Sequence, residues 1–161
     1  MFEVYAQDPE VARYLSWLPH TDLSQTQAAI DRFLARWQAQ IEFFWFLFTR
    51  EELEMVGAIT ARTEEGGFNL GFLLARSHWG QGLMIEAINA VTEWAFSQPS
   101  VLRITAACDL ENRASARALE KAGFQREGVL KAFSTHPNIS PDPRDCYSYF
   151  KARAGDGHSP G

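Results

Sequence analysis

Apolar residues recur every three or four positions in several stretches of the chain, the spacing of a helix with one buried face. The clearest stretch begins with the capping-box pair Ser24 and Gln27 and continues with five apolar residues: Ile30, Phe33, Leu34, Trp37 and Ile41. A second stretch runs from Gly80 to about Ser97 and is stopped by Pro99. The pattern predicts two amphipathic helices.

Two further helical segments are marked by their ends. The start of the chain indicates a short helix that is broken at Asp8-Pro9, where proline can begin a new turn. Later, Asn112 has the character of an N-cap and Gly123 that of a C-cap, so we predict a helix between them.

The remaining apolar segments have the length and composition of strands. Residues 43–49 are continuous aromatics and β-formers, which favour a strand buried on both faces. The Arg50–Glu52 cluster turns this strand into a partner at 54–62, and a Gly-rich turn leads to a third strand, Phe68–Ala75. These three strands predict an antiparallel meander.

The second half of the chain adds three more strands, at Val101–Cys108 and near 124–133 and 145–152. Strands then alternate with helices, so a parallel pair can flank the helix that starts at Gly80 as its crossover. We predict an α/β (α+β) fold with a mixed, mostly antiparallel sheet. A single domain covers 1–153, and the Gly, Ser and Pro content of 154–161 indicates a disordered tail.

Composition removes several classes of function. The formal net charge of -5 is spread without a basic stripe, which argues against a nucleic-acid partner. The longest apolar run, Phe43–Phe48, is much shorter than the roughly 20 residues of a membrane span. Two cysteines without a CxxC motif or a secretory leader favour the cytoplasm, and four scattered histidines predict no metal site.

Two segments carry candidate chemistry. In Trp79-Gly80-Gln81-Gly82-Leu83, glycines at a strand-to-helix junction allow close approach of a ligand, and the helix N-terminus offers N–H groups to an anion such as a pyrophosphate. A tight turn needed only for packing explains this segment alone about as well. A dinucleotide-binding fingerprint is not supported, because Ile85 and Leu102 stand where a glycine and an acid are required.

The second segment follows about thirty residues later and runs from Glu111 to Phe124. Capping alone also explains Asn112 and Ser115, since both residue types are common in the first helical turn. The two segments together, His-Trp-Gly-Gln-Gly-Leu-Met-Ile-Glu-Ala and Glu-Asn-x-x-Ser-x-x-x-Leu-Glu-Lys-x-Gly-Phe, resemble those of GNAT acetyltransferases of the RimJ/RimL-like group. The stretch from Asp8 to Leu15 also resembles that group's first helical region, so the resemblance covers residues 1 to about 153.

The resemblance implies a V-shaped sheet whose split, between Phe68–Ala75 and Val101–Cys108, holds the pantetheine arm of acetyl-CoA. It implies that the backbone of Phe72, Leu73 and Leu74 binds the pantetheine amides. The segment from Trp79 to Leu83, including Gly80, Gln81 and Gly82, would hold the pyrophosphate through its backbone N–H groups. Asn112 would meet the pantetheine arm from the other side. Ser77 departs from the family, in which Gln or Arg is usual.

The expected reaction is N-acetylation of a primary amine, either a protein N-terminus or a small molecule, by direct attack in a ternary complex. Ser115 is our candidate donor to the departing thiolate, and Glu127 our candidate base, with His78 and His136 as lesser candidates. A plain exposed strand position is the somewhat more common explanation of a Glu at position 127. Asn69 stands where many relatives carry a Glu, which removes another possible base.

The proline-rich loop 136–143 is expected to shape the acceptor pocket. Four aromatic residues have a place either in that pocket or, more commonly, in the core: Trp17, Trp45, Tyr147 and Tyr149. We expect the usual first strand of the family to be missing, which would leave 43–49 as an apolar edge and favour a homodimer. A non-catalytic acyl-CoA-binding or sensing module and a purely structural interaction protein are the alternative functions.

Overall fold

The computed structural model describes residues 1–155, so the tail predicted at 154–161 lies outside the described residues from position 156 onward. These described residues form four α-helices: α1 (Pro9–Ala12), α2 (Leu23–Gln38), α3 (Leu83–Phe96) and α4 (Arg113–Lys121). A π-helical turn, Phe2–Ala6, precedes α1, and a 3-10 turn, Arg76–His78, precedes α3.

Within the part of the chain that the structure describes, the sheet has six strands: β1 (Glu42–Phe48), β2 (Met55–Glu64), β3 (Gly67–Leu74), β4 (Arg103–Asp109), β5 (Gln125–Thr135) and β6 (Pro143–Ala152). Their order is β1-β2-β3-β4-β6-β5. Only β3 and β4 are parallel, and α3 connects them, as a crossover connection requires. The mixed, mostly antiparallel sheet with flanking helices confirms the predicted fold class.

The parallel pair separates halfway along. β3 and β4 are paired only from Gly67 to Leu70 and from Arg103 to Ala106, although both strands continue beyond these residues. At the paired end the backbones are very close, since a Cβ on Gly67 would lie 1.7 Å from the Arg103 carbonyl oxygen. The sheet therefore opens toward the C-terminal ends of β3 and β4. This opening agrees with the V-shaped sheet that the sequence resemblance implies.

Apolar layers cover both faces of the sheet. The main core joins β2, β3 and β4 to α3 and α4, and includes fully buried Ile59, Ile88, Ile104 and Leu119. A smaller cluster on the other face packs the chain start against β2: Tyr5, Ala6, Val11 and Ala58. The N-terminal segment is thereby fixed beside the open end of β3.

Two local predictions were wrong. Asp22, not Ser24, caps α2, because its carboxylate accepts hydrogen bonds from the N–H groups of Ser24 and Gln25. The β1 strand is half-buried rather than buried on both faces, because it lies at the edge of the sheet with β2 as its neighbour. Phe48, at its end, is 52% exposed.

Candidate active site

A cleft of about 600 Å³ opens where β3 and β4 separate. Three groups of residues line it: the end of β3 with the glycine loop and the start of α3, one face of α4 from Arg113 to Lys121 with the preceding Glu111 and Asn112, and the N-terminal segment from Glu10 to Leu15. The cleft therefore joins both segments that the sequence singled out.

The glycine loop has the conformation that its two glycines allow. Gly80 and Gly82 both have φ of 75°, a left-handed conformation that side chains with a Cβ disfavour. Gly82 is the N-cap of α3 and provides no side-chain cap, so the first N–H groups of this helix face the cleft without a side-chain partner. Such a helix start is suited to an anion.

Trp79 and Gln81 brace this loop in different ways. The indole Nε1 of Trp79 donates to the Leu74 carbonyl at 2.8 Å, which joins the loop to the end of β3. The Gln81 side chain donates to the Ser77 carbonyl at 3.4 Å and is not among the cleft-lining residues. Trp79, Gly80, Gly82 and Leu83 do line the cleft, so of the five predicted loop residues Gln81 alone is outside it.

Phe72, Leu73 and Leu74 form the β3 wall. Next to them, the Ala75 N–H donates to Val56 of β2 at 2.7 Å. Because backbone groups alternate in direction along a strand, those of Phe72 and Leu74 point away from β2, into the split. The Leu74 carbonyl accepts the hydrogen bond from Trp79. The Leu74 N–H and the N–H and carbonyl of Phe72 therefore remain facing the cleft.

Asn112 and Ser115 lie together on the opposite wall. The Asn112 side-chain oxygen accepts from the Ser115 N–H at 3.2 Å, which caps α4 and orients the side-chain amide. Since the oxygen serves the cap, the NH2 group is the part of Asn112 that can donate to a ligand. Ser115 is half-buried one turn into the helix, with its hydroxyl beside the same space.

The third wall is the N-terminal segment, which the loop between β5 and β6 supports. The amide nitrogen of Asn138 donates to the carbonyls of Ala12 and Trp17, both at 2.8 Å. The Tyr14 hydroxyl donates to the Glu111 carbonyl at 3.4 Å. The loop between β5 and β6, which was expected to shape an acceptor pocket, thus holds the N-terminal segment in place. Glu10, Tyr14 and Glu111 face the cleft.

A buried charged cluster underlies this wall. Arg144 donates to the two oxygens of the fully buried Asp109 at 2.6 and 3.2 Å, and pairs with Glu111 at 3.1 Å. Burial opposes the charge on Asp109, but the bonds from Arg144 keep the pKa of its carboxyl below the usual value. His136 lies 3.6 Å from Asp109, and burial lowers the pKa of its imidazole despite the neighbouring carboxylate.

The structure does not bring Glu127 to the cleft. Its carboxylate accepts from Arg103 at 2.7 and 2.6 Å, next to the paired end of β3 and β4, opposite the open end. This ion pair lowers the pKa of Glu127 and, together with Ser148, holds the side chain there. The placement does not support a role as base, and His78, paired with Ser77 at 2.9 Å, does not line the cleft either.

The four aromatic residues weighed between pocket and core do not line the cleft. Trp45 packs against Trp94 with ring centroids 4.9 Å apart, and Trp17 packs against the smaller core cluster. Tyr147 and Tyr149 lie beneath the guanidinium of Arg126. The interpretation of these residues as packing residues fits the structure.

The environment of the two cysteines does not favour a role as nucleophiles. Both Cys108 and Cys146 are buried free thiols. Burial, with Cys146 nearby, raises the pKa of Cys108 to about 12, and burial raises that of Cys146 to about 11. Their thiols therefore stay protonated near neutral pH.

Residues 1–125 match the protein family described as "Acetyltransferase (GNAT) domain". The chain belongs to this GNAT acetyltransferase family. YoaA of Bacillus subtilis (strain 168), an uncharacterized N-acetyltransferase, is 30% identical over 156 residues, which cover 95% of this chain and 87% of YoaA.

Solved GNAT structures share the fold. RimL, the ribosomal L7/L12 alpha-N-protein acetyltransferase, superposes with a TM-score of 0.83 at 19% identity, over 94% of this chain and 82% of RimL. Spermidine N-acetyltransferase from Vibrio cholerae, in complex with CoA and spermine, has a TM-score of 0.75 at 14% identity, over 92% and 85% of the two chains. These likenesses confirm the GNAT fold.

Several cleft residues of this GNAT domain were not predicted from the sequence. Glu10 and Tyr14 on the N-terminal wall reach the site only because that segment packs beside β3. Three basic residues of α4 were also not predicted: Arg113, Arg117 and Lys121. Their spacing of four residues was a readable signal, since it places all three on one helix face. Within residues 1–155, no helix is long and apolar enough to cross a membrane.

Proposed function

We propose that the protein transfers the acetyl group of acetyl-CoA to a primary amine by direct attack within a ternary complex. The observation that carries this proposal is the single cleft that unites a separated parallel strand pair with an uncapped helix start. The first feature provides backbone groups for an amide-bearing arm, and the second provides N–H groups for a pyrophosphate. Membership of the GNAT family supports the same reaction.

The cofactor is proposed to complete the sheet at its split. The N–H and carbonyl of Phe72 and the N–H of Leu74 bond the pantetheine amides, with Leu73 between them on the same strand. The N–H groups of the loop from Gly80 to Leu83 bind the pyrophosphate, while Trp79 and Gln81 hold this loop in shape. The Asn112 amide meets the pantetheine arm from α4, which directs the thioester toward the N-terminal wall.

Direct transfer requires little covalent participation by the protein. The neutral amine nitrogen bonds to the thioester carbonyl carbon, the carbon–sulfur bond breaks, and the amine loses one proton while the sulfur gains one. Ser115 is proposed to donate a hydrogen bond or proton to the departing sulfur. An acyl-enzyme on Cys108 is disfavoured, because burial keeps its pKa about 12 and its thiol protonated.

The acceptor is proposed to enter between the N-terminal wall and Glu111. The carboxylates of Glu10 and Glu111 there attract a cationic amine before it is deprotonated. RimL is named for a protein α-amine and the Vibrio cholerae enzyme for spermidine. A protein N-terminus and a small amine therefore both stay within the proposal. An α-amine has a reference pKa of roughly 7.7 to 8.0, so it needs little help from a base.

A homodimer is proposed on the edge strand β1. Within residues 1–155 this strand has β2 as its neighbour, and its outer edge leaves backbone groups available to a second chain. Phe48 is exposed at this edge, and Leu34 and Trp37 of α2 are exposed beside it. Two copies of β1 can pair antiparallel, since a two-fold axis places the same strand on both sides.

The test is CoA release from acetyl-CoA with peptides bearing free N-termini, polyamines and aminoglycosides as acceptors. Wild-type protein is expected to turn over at least one amine. Ser115→Ala should lower kcat about tenfold or more with acetyl-CoA affinity unchanged, because a proton donor contributes to the transition state only. Ser100→Ala, in the loop before β4, is the matched control. Acetyl-CoA binding without turnover of any acceptor would instead favour a non-catalytic binding module.

A further inference from the structure

Three basic side chains form one row along the α4 wall of the cleft. Arg113, Arg117 and Lys121 are four residues apart, so they lie on one face of the helix, and all three are exposed and line the cleft. The row, called here the α4 basic stripe, extends about 12 Å along the helix at 1.5 Å per residue.

The stripe has no carboxylate partner within residues 1–155. Seven other basic side chains do form ion pairs: Arg36, Arg62, Arg76, Arg103, Arg126, Lys131 and Arg144. Like charges four residues apart slightly disfavour a helix, so the stability of α4 does not explain the arrangement. Its exposure on a cleft wall indicates an anionic ligand.

The charge of the proposed cofactor exceeds what the glycine loop can balance. Coenzyme A carries a pyrophosphate and, on its adenosine ribose, a 3′-phosphate monoester with about -1.5 to -2 charges near neutral pH. The helix dipole at the start of α3 amounts to about half a positive charge, and residues 79–83 include no Lys or Arg. A second phosphate group would therefore be stabilised by side-chain cations elsewhere on the cleft wall.

Two of the three basic residues lie toward the C-terminal end of α4, away from Asn112 and Ser115. Asn112 and Ser115, at its start, lie at the proposed pantetheine and thioester end of the cofactor, and Arg113 lies between them. Arg117 and Lys121 follow one and two turns later, farther from that end along the same cleft wall, where the proposal places the adenosine end of the cofactor. The guanidinium of Arg117 presents paired N–H groups to phosphate oxygens, and Lys121 adds a compact charge.

We propose that Arg117 and Lys121 bind the 3′-phosphate of coenzyme A and make the protein selective for coenzyme A over its 3′-dephospho form. This inference rests on the proposed function, because it assumes that acetyl-CoA occupies the cleft. It assigns an anion site separate from the glycine loop. The loop holds the pyrophosphate that both forms of the cofactor share, whereas the stripe binds the group that only one of them has.

The test is calorimetric titration with coenzyme A and with 3′-dephospho-coenzyme A. Wild-type protein is expected to bind coenzyme A about tenfold more tightly or better, the effect of one or two charge-assisted hydrogen bonds. The double variant Arg117→Gln with Lys121→Gln should bring the two Kd values within about threefold, by weakening coenzyme A binding alone. Arg32→Gln, an exposed position of α2 outside the cleft, is the matched control and should keep the wild-type ratio.

Each contrary outcome has a distinct meaning. Equal binding of both ligands by wild type, or a double variant that keeps the wild-type ratio or loses affinity for both ligands alike, would overturn the 3′-phosphate site and leave the acetyltransferase proposal standing. Failure of wild type to bind either ligand would overturn both. Circular dichroism of the variants should match wild type, since the exchanged side chains are exposed.

Discussion

Gly82 shows how a single residue shapes the cofactor site. Its φ of 75° is left-handed, and a Cβ there would meet nothing within 4 Å, so a side chain would be disfavoured by backbone conformation alone. Gly82→Ala should weaken acetyl-CoA binding by about tenfold, corresponding to about 1 to 2 kcal/mol of left-handed strain in the loop. Isothermal titration measures the change.

Gly66 provides the matched control for this variant. Its φ of 72° and its open surroundings are similar, but it lies in the turn between β2 and β3. Gly66→Ala should therefore lower stability to a similar degree and leave acetyl-CoA affinity unchanged. Equal affinity losses in the two variants would mean that the loop geometry at Gly82 has no special part in binding.

His136 gives stability a pH dependence of predictable sign. Burial lowers the pKa of its imidazole, so the unfolded chain takes up a proton near pH 6.5 that the folded protein resists. The free energy of unfolding should therefore fall as the pH drops from about 7.5 to about 5.5. The lowered pKa of His20, also caused first by burial, acts in the same direction.

Urea unfolding at the two pH values tests this prediction. His136→Gln cannot titrate, so its stability should decline less over the same range than that of wild type. The lowered pKa of Asp109 does not interfere, because its stabilisation is lost only as the pH falls below the usual range of a carboxyl group, about 4. An equal decline in both proteins would show that His136 is not the group responsible.

At the scale of the elements, the closed end of the β3 and β4 pair determines where the sheet opens. A Cβ on Gly67 would lie 1.7 Å from the Arg103 carbonyl oxygen, so Gly67→Ala must push the strands apart. We expect a loss of about 2 kcal/mol or more in the free energy of unfolding, as for other overpacked sites. Gly71→Ala, in the same strand, would meet only the Thr60 hydroxyl at 3.0 Å and should cost less.

Chemical denaturation of the two variants makes the comparison. A Gly67→Ala protein as stable as Gly71→Ala would contradict the close approach of the strands at this end. The separation of β3 and β4 at the other end would then need another cause.

Features that depend on neighbouring residues within one helix or loop could be predicted from the sequence. The glycine loop and the Asn112 cap were foreseeable, because both depend on residues within one turn of each other. The cap of α2 was mistaken because Asp22 and Ser24 are both good caps two positions apart, and the choice depends on which N–H groups each side chain reaches.

Local sequence patterns do not predict contacts between residues that are far apart in the chain. Glu127 lies beside Arg103, 24 residues away in sequence, and its position follows from the pairing of β5 with β6 and of β6 with β4. The Asp109–Arg144 pair spans 35 residues in the same way. No local pattern predicts which end of the sheet such side chains occupy.

At the scale of the whole molecule, the proposed homodimer has its interface at the edge strand β1. If two copies pair along β1, a charge at the exposed Phe48 should weaken the dimer, since a lysine at a strand edge opposes pairing. Phe48→Lys is therefore expected to be monomeric at concentrations where wild type is dimeric in sedimentation velocity. Leu102→Lys, at a residue 53% exposed outside the strands, is the control and should stay dimeric.

A wild-type protein that remains monomeric at every concentration would contradict the proposed homodimer. A dimer that Phe48→Lys leaves intact would place the interface elsewhere on the surface. Neither result bears on the cleft, which lies at the separation of β3 and β4, two strands away from β1.

Amide hydrogen exchange with and without acetyl-CoA measures where this ligand binds in the molecule. Binding should slow exchange in three separate segments, 72–74, 80–85 and 112–115, because they form the walls of one cleft. The amides of 125–135 should be unaffected, since β5 lies at the far edge of the sheet. Saturating acetyl-CoA that leaves the three segments unprotected, or that protects β5 instead, would contradict the account.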